Sequence, residues 1–273
     1  MVDTKIKGFA FGENWQDFLQ VLSDDHILEA EKALRTFLGT SDLRGKRFLD
    51  IGSGSGLHSL AARRMGAIVH SFDYDPQSVA CTVELKRRYY LNDDQWTIQQ
   101  GSILDAEFID RLGEFDISYA WGVLHHTGAL WQALSNAQRP VRLGGLLFVA
   151  IYNDQGLISR IWKIIKHFSS SGRLGRTIVR MIFYPIFFLS GLVIDLIHLR
   201  NPAARYHEHK KYRGMSLIHD WRDWLGGYPF EPARPEKIID FYQNLGFELV
   251  RFEPTGHGFG NNQFLFRRLQ MQS

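Results

Sequence analysis

Between residues 45 and 153 the apolar positions fall into short runs, each followed by a stretch with helical spacing. "RFLDI" leads into "LHSLAARRMG", "IVHSFDYD" into "PQSVACTVELKRRYYL", and "WTIQQGSI" into "DAEFIDRLG". "FDISYAW" then leads into "LWQALSNAQRPV", and "GLLFVAIY" closes the series. Strands that alternate with helices pair in parallel and take helices on both faces. Upstream, "HILEAEKALRTFLG" has helical spacing and ends at Gly39, a residue suited to a C-cap. Downstream, "RPEKIIDFYQNLG" reads as a helix, and "FELVRFEP" and "NQFLFRRL" flank a glycine-rich turn. That ending predicts an antiparallel hairpin. The expected fold class is α/β, a doubly wound, mostly parallel seven-stranded sheet with an antiparallel C-terminal hairpin and a helical insertion.

The insertion is the stretch that breaks the alternation. Residues 154–214 hold 11 Lys+Arg against 3 Asp+Glu, whereas the whole chain holds 32 against 29. "LISRIWKIIKHF" places Leu157, Ile158, Ile161, Ile165 and Phe168 on one helical face, widened by Trp162 and Ile164. Arg160, Lys163, Lys166 and His167 fall mostly on the other side. The following run from Met181 to Ile194 carries no charge, but Pro185 interrupts it and it is short of the roughly 20 residues a membrane span needs. Three readings stay open: a cap packed on the sheet or on a second subunit, a basic surface docked on a membrane, and an apolar passage for a lipid-like acceptor. The chain thus divides into an N-terminal segment with the α/β core (1–153), the helical insertion (154–214), and a loop with the closing helix and hairpin (215–273).

Composition adds little else. Cys81 is the single cysteine, set in a helical stretch and read as a small buried core residue. "MVDTKIKGFAFGENWQDF" has no unbroken apolar region, so no signal peptide is expected and the expected location is the cytoplasm, with or without peripheral membrane contact. A net charge of +3 by itself says little about partners, and no nucleic-acid partner is expected.

The chemistry begins at "RFLDIGSGSGLHSLA". A strand ending in Asp50 runs into Gly52, Gly54 and Gly56, where missing side chains let a ligand approach backbone and the next helix points its N-terminus at the same spot. The spacing G-x-G-x-G departs from the dinucleotide fingerprint G-x-G-x-x-G, with Leu57 and Ser59 where the other pattern would continue. The next strand ends in "FDYD", which sets Asp73 where an acid accepts both hydroxyls of a ribose. "D-x-G-x-G-x-G" followed by that acid, then "QGSILD" and "FDISYAWGVLHHTG", resembles the cofactor site of class I S-adenosylmethionine-dependent methyltransferases. The resemblance covers about residues 45–153 and the closing hairpin. It implies S-adenosylmethionine as cofactor, held by Asp50, Gly52, Ser53, Gly54, Gly56 and Leu57, by Asp73 and Tyr74, by Ser102 and Ile103, and by Trp121. Ser102 stands where the family commonly has an acid. "FAFGENWQDFL" is similar to a segment that closes over the cofactor in some members, with Trp15 and Phe18 as aromatic contacts or as an ordinary packed lid.

A sulfonium methyl is already activated, so such a protein aligns the acceptor, excludes water and often removes a proton. His126, then His125, is the expected general base, a histidine being suited to neutral pH. Tyr152, His219 and Tyr228 form a second acceptor-facing set, in a region where "HDW…WLGGYPFE" is similar to bacterial methyltransferases of poorly assigned substrate. That region, with Asp220, Trp221 and Trp224, reads as an aromatic-rich connecting loop. The strand-four turn "AWGV" lacks the Asn/Asp-Pro-Pro-aromatic motif of nucleobase enzymes, and no magnesium-binding acid set follows it. "YHEHKKY", with His207, Glu208 and His209, reads as a solvated stretch rather than a metal site. The expected function is methyl transfer to an oxygen of a small or lipid-like acceptor. The alternatives are a small thiol acceptor, a non-catalytic cofactor-binding subunit and a nicotinamide oxidoreductase. Peripheral membrane contact or homo-oligomerisation through 157–199 stays open.

Overall fold

The computed structural model of the chain describes residues 11–199, 201–202, 217–256 and 260–270; for Phe11, Glu13, Asn14, Ile218, His219, Asp220 and Asp223 it describes the backbone alone. Two helices, α1 (Phe11–Val21) and α2 (Asp24–Leu38), precede the sheet. The core alternates β1 (Arg47–Ile51), α3 (Leu57–Arg64), β2 (Ile68–Asp73), α4 (Pro76–Tyr89), β3 (Trp96–Gln100), α5 (Ala106–Arg111) and β4 (Phe115–Trp121). A 3₁₀ turn at Leu124–His126, α6 (Leu130–Ala137) and β5 (Val141–Tyr152) complete it. After α7 (Leu157–Ser170) and α8 (Arg173–Ile197) come α9 (Leu217–Gly226), α10 (Pro235–Asn244), β6 (Phe247–Glu253) and β7 (Asn261–Arg268).

The strands form one seven-stranded sheet in the order β3-β2-β1-β4-β5-β7-β6. The first five are parallel; β7 runs antiparallel to β5 and to β6. This is the expected fold class. Side chains alternate along each strand, so Phe48 enters one apolar layer with Leu60, Leu85, Trp96 and Phe148. Its neighbours Leu49 and Ile51 enter the opposite layer with Phe72, Leu134, Tyr242 and Phe264. Burial on both faces is why these strands read as nearly unbroken apolar runs. Local signals set the helix ends. Gly39 closes α2 at φ +68°, and Asp75 caps α4 by accepting from the Gln77 N–H at 2.9 Å, with Pro76 next to it. Cys81 is buried in α4, and burial pushes its thiol up to about 11.

Four elements depart from the sequence reading. First, β5 starts at Val141 rather than at Gly145, because a register shift against β4 between Phe115 and Ile117 lets the strand absorb Gly144 and Gly145. Second, Pro185 does not interrupt α8, which runs 25 residues through it. Proline removes one backbone donor, and the flanking turns are held by packing of Phe183 on Trp162 (5.2 Å between ring centres) and of Phe187 on Trp221 (5.5 Å). Third, the aromatic-rich segment is the helix α9 rather than a loop. Fourth, Lys166 belongs to the packed face of α7, only 1 % exposed, while the apolar stripe of that helix faces outward.

Candidate active site

The carboxyl ends of β1, β4 and β5 meet where the strand order reverses, between β1 and β4. Open α/β sheets form their ligand crevice at such a reversal. Gly52 and Gly54 leave β1 with φ +71° and +55°, a region that side chains other than hydrogen rarely adopt. A Cβ on Gly52 would lie 2.5 Å from Val123, and one on Gly54 2.9 Å from the Trp15 indole. The Gly52 and Ser53 amides both donate to the Phe72 carbonyl, at 2.8 and 3.1 Å, which folds the loop back on β2. Thr82 donates to the Gly54 carbonyl at 3.3 Å and takes the Ser53 hydroxyl at 3.0 Å. Gly56 begins α3 at φ +81°, and Leu57 is its first residue.

Asp73 ends β2 beside this loop. Its Oδ2 accepts from the Gly54 N–H and its Oδ1 from the Asp75 N–H, each at 2.9 Å. Burial raises its pKa, and the backbone amides oppose that shift. Each oxygen has acceptor capacity beyond these bonds, so the carboxylate is braced by the loop while able to receive a diol. Asp50 is more deeply placed. It accepts from Ser59 Oγ at 2.5 Å, Ser59 and Ser71 hydroxyls lie 2.7 Å apart, and Trp96 Nε1 donates to Ser71 at 2.9 Å. Proton donation therefore runs one way, from Trp96 through both serines to Asp50. Burial lifts Asp50 to about 7, the Ser59 bond opposing and the nearby Asp73 adding to the rise. Ser59, Ser71 and Trp96 were not foreseen as site residues; the register that sets Asp50 opposite Ser71 joins them.

The other expected contacts scatter in depth. Tyr74 is 76 % exposed, and its carbonyl accepts from Gln100. Ser102 Oγ accepts from the Leu104 N–H at 3.2 Å, and Ile103 is buried. Trp121 is exposed at the end of β4, 6.2 Å from the His58 ring. Helix α1 lies across the loop: the Gly12 N–H donates to Asp75 at 3.0 Å, and Trp15 packs edge-on to Phe18 at 6.1 Å. Gly52 and Gly54 thus let Val123 and Trp15 close on the loop where side chains would clash, and the Asp73 carboxylate lies beside it. These residues fit a nucleoside-bearing cofactor.

Val123 links this loop to the histidines, since its side chain abuts Gly52 and its carbonyl accepts from the His126 N–H at 2.9 Å. His125 is fully buried, its ring 4.1 Å from that of Tyr152 and 4.5 Å from that of His126. His126 Nδ1 lies 2.7 Å from the Pro229 carbonyl. A carbonyl only accepts, so Nδ1 carries the proton and the lone pair is on Nε2. Burial holds the half-buried His126 imidazole down to about 4; the Pro229 bond opposes, and the Lys166 charge adds to the fall. Burial pushes His125 well below the usual histidine range, helped by the charges of His126 and Lys166. Lys166 donates to the Trp224 carbonyl and faces the Trp224 and Phe230 rings at 4.7 and 5.0 Å. Tyr152 is thus drawn together with both histidines, and Phe230 lies 5.3 Å from it. Tyr228 instead packs on His167 at 5.0 Å. The His219 side chain lies outside the described residues, as do His207, Glu208 and His209. No group of three potential metal ligands occurs among the described residues. Asn262 is a brace, donating to Asn153 at 3.1 Å and accepting from the Thr255 N–H.

The family described as "Methyltransferase domain" matches residues 49–149. The ribosomal protein L11 methyltransferase of Methylococcus capsulatus is 40 % identical over 72 residues, covering 26 % of this chain and 25 % of its own. The ubiquinone biosynthesis O-methyltransferase of Rhizobium leguminosarum bv. trifolii is 32 % identical over 112 residues, 41 % of this chain and 42 % of its own. The chain thus spans between about a quarter and two-fifths of the length of these relatives. The magnesium protoporphyrin IX methyltransferase of Synechocystis PCC 6803, solved with bound SAH, shares the fold at 15 % identity and TM-score 0.53, covering 89 % of this chain and 83 % of that one. Residues 49–149 thus match a methyltransferase domain, and the chain shares its fold with a methyltransferase solved with bound SAH.

Proposed function

We propose that this chain binds S-adenosylmethionine at the glycine loop and transfers its methyl group to an oxygen of a small or lipid-like acceptor beside His126. The family match over residues 49–149 supports methyl transfer. The observation that carries the oxygen acceptor is the His126 tautomer, which puts a lone pair on Nε2 one turn from the glycine loop. When bound, the cofactor would supply an electrophilic methyl on a sulfonium, with its thioether as the leaving group for an acceptor oxygen. Asp73 would accept from the ribose hydroxyls, and the loop of Gly52 and Gly54 would lie along the methionine end. Trp15 closes over the loop and excludes water. His126 Nε2 takes the acceptor's proton. A base with a pKa of about 4 is weak toward a resting alcohol. It suffices here because a hydroxyl becomes strongly acidic as its oxygen gains a methyl, so the proton moves late.

A thiol acceptor is far more acidic than an alcohol, could react as the thiolate formed in solution, and would not need His126. The two readings separate in a fate-of-label experiment with purified protein, methyl-labelled S-adenosylmethionine and an extract of the host cell. Label in the organic or aqueous fraction that is lost in His126→Ala supports the oxygen acceptor. Volatile label, unaffected by that change, supports the thiol. Cofactor binding without label in any fraction overturns methyl transfer and leaves a binding subunit.

A further inference from the structure

The hairpin of α7 and α8 packs through one face of each helix and leaves an apolar face opposite. In α7 the packed positions are Ser159, Trp162, Lys166 and Ser169, three or four residues apart. Lys166 donates to the Trp224 carbonyl and Ser170 to that of Gly226, which seats this face on α9. In α8, Tyr184 and Phe187 pack on Trp221 at 5.8 and 5.5 Å, which seats that helix on α9 as well. Both helices rest on α9, so the faces turned away from it point out of the molecule on the same side.

Those faces are apolar. Leu157 and Ile164 of α7 are 70 % and 69 % exposed, and Leu174, Met181 and Ile197 of α8 are 75 %, 71 % and 72 % exposed. At 100° per residue the α7 stripe stands opposite its packed face, with cations on its flank. An ordinary surface helix hides its apolar stripe; this pair displays two. Singly exposed apolar residues need no explanation, but a continuous face of this kind marks a contact surface.

Charge decides which contact. Arg160, Lys163, Arg173 and Arg176 are exposed around the apolar face and Arg180 is half-buried. The only acid between residues 157 and 199 is Asp195, and it is buried. A second copy of this chain would bring the same cations against themselves, since a two-fold contact pairs a patch with its own image. An anionic bilayer complements both components: lipid acyl chains take the exposed Leu, Ile and Met side chains, and headgroups take the arginines and Lys163. By length and composition alone α8 is long and apolar enough to cross a bilayer, but its charges argue for the interface instead. Three arginines occupy the first eight residues of α8, and its uncharged run of 14 residues covers about 21 Å of a core about 30 Å thick.

We infer that the outward face of α7 and α8 is a docking surface for an anionic membrane, lying in its interface rather than through it. Docking would bring the His126 cluster beside the lipid, since α7 follows directly on β5 and its His167 packs on Tyr228, the neighbour of Pro229. The inference is independent of methyl transfer, because it needs neither cofactor nor acceptor.

The test is flotation of the full chain with vesicles of phosphatidylcholine, with and without phosphatidylglycerol, in low and high salt. The expected result is binding to the phosphatidylglycerol vesicles about tenfold or more tighter than to phosphatidylcholine alone, weakened by high salt. The double variant Ile164→Asp, Met181→Asp should lose about tenfold or more in vesicle affinity while melting like the parent, both side chains being exposed. Absence of flotation in low salt, or equal flotation of parent and variant, would overturn the inference. So would a homodimer in sedimentation velocity that the same variant dissociates, since a second copy would then cover the face.

Discussion

Asp73→Ala separates the two jobs assigned to that carboxylate. The side chain ties the Gly54 and Asp75 amides, both at 2.9 Å, and is assigned the ribose hydroxyls of the cofactor. Removing it strands two partly buried donors, each worth about 1–2 kcal/mol, while relieving the burial cost that raises its pKa. The net loss of stability is about 1–3 kcal/mol. In a chain of this length that lowers Tm by about 2 °C per kcal/mol, so by about 2–6 °C. Cofactor binding should suffer more. Two hydrogen bonds to a charged acceptor are worth about 1.5–3 kcal/mol each, so the affinity for S-adenosylmethionine should fall roughly 10²- to 10⁴-fold. Asp73→Asn keeps one carbonyl acceptor and should fall between parent and alanine in both readouts. Calorimetric titration of the cofactor, alongside thermal melts, reads both quantities. Folded Asp73→Ala that binds S-adenosylmethionine as tightly as the parent would refute the ribose contact.

Four further outcomes follow from the same geometry. Gly52→Ala forces φ +71° on a residue with a Cβ 2.5 Å from Val123; it should cost about 2–4 kcal/mol in a melt, and Val123→Ala should recover part of that. His126→Ala should slow transfer roughly 10²-fold while cofactor affinity changes less than about threefold, and the parent's rate should persist down to about pH 4, well below where an ordinary histidine base titrates. In acid, His58 and His126, both held down to about 4 by burial, and His125, lowered further, stay neutral while the unfolded chain protonates. The stability they contribute is complete above about pH 6.5 and is lost as pH falls from there toward about 4. Asp50 works in the opposite direction, because its folded value of about 7 makes the folded state bind a proton that the unfolded chain releases down to about pH 4. Asp50→Asn should therefore be more stable than the parent at pH 7 and should lose stability more steeply on acidification, measured by denaturant melts across that range.

The parts of this molecule that the sequence disclosed are those with a period or a fixed spacing. Strands buried on two faces leave apolar runs, and helices between them leave caps such as Asp75 and Gly39. The glycine loop was legible because three residues at alternate positions all take positive φ. What the sequence hid depends on contacts between distant residues. The relay from Trp96 through Ser71 and Ser59 to Asp50 exists only through strand register. Lys166 looked like one of the solvated cations of α7, yet the Trp224 carbonyl and two aromatic rings draw it inward, and the helix shows its apolar stripe to the outside. Pro185 looked like a break because its local preference is against helix, and packing of aromatic rings on either side overrides it. His126 was foreseen as a base of neutral pKa; its burial and the Lys166 charge come from elements 40 to 100 residues away in sequence.

The most direct measurement is a calorimetric titration of the full chain with S-adenosylmethionine, with S-adenosylhomocysteine and with NAD. One site per chain is expected for the first two ligands, weakened by Asp73→Ala, with no heat from NAD. Binding of NAD at a site that Asp73→Ala abolishes, with neither adenosyl ligand bound, would contradict the cofactor assignment.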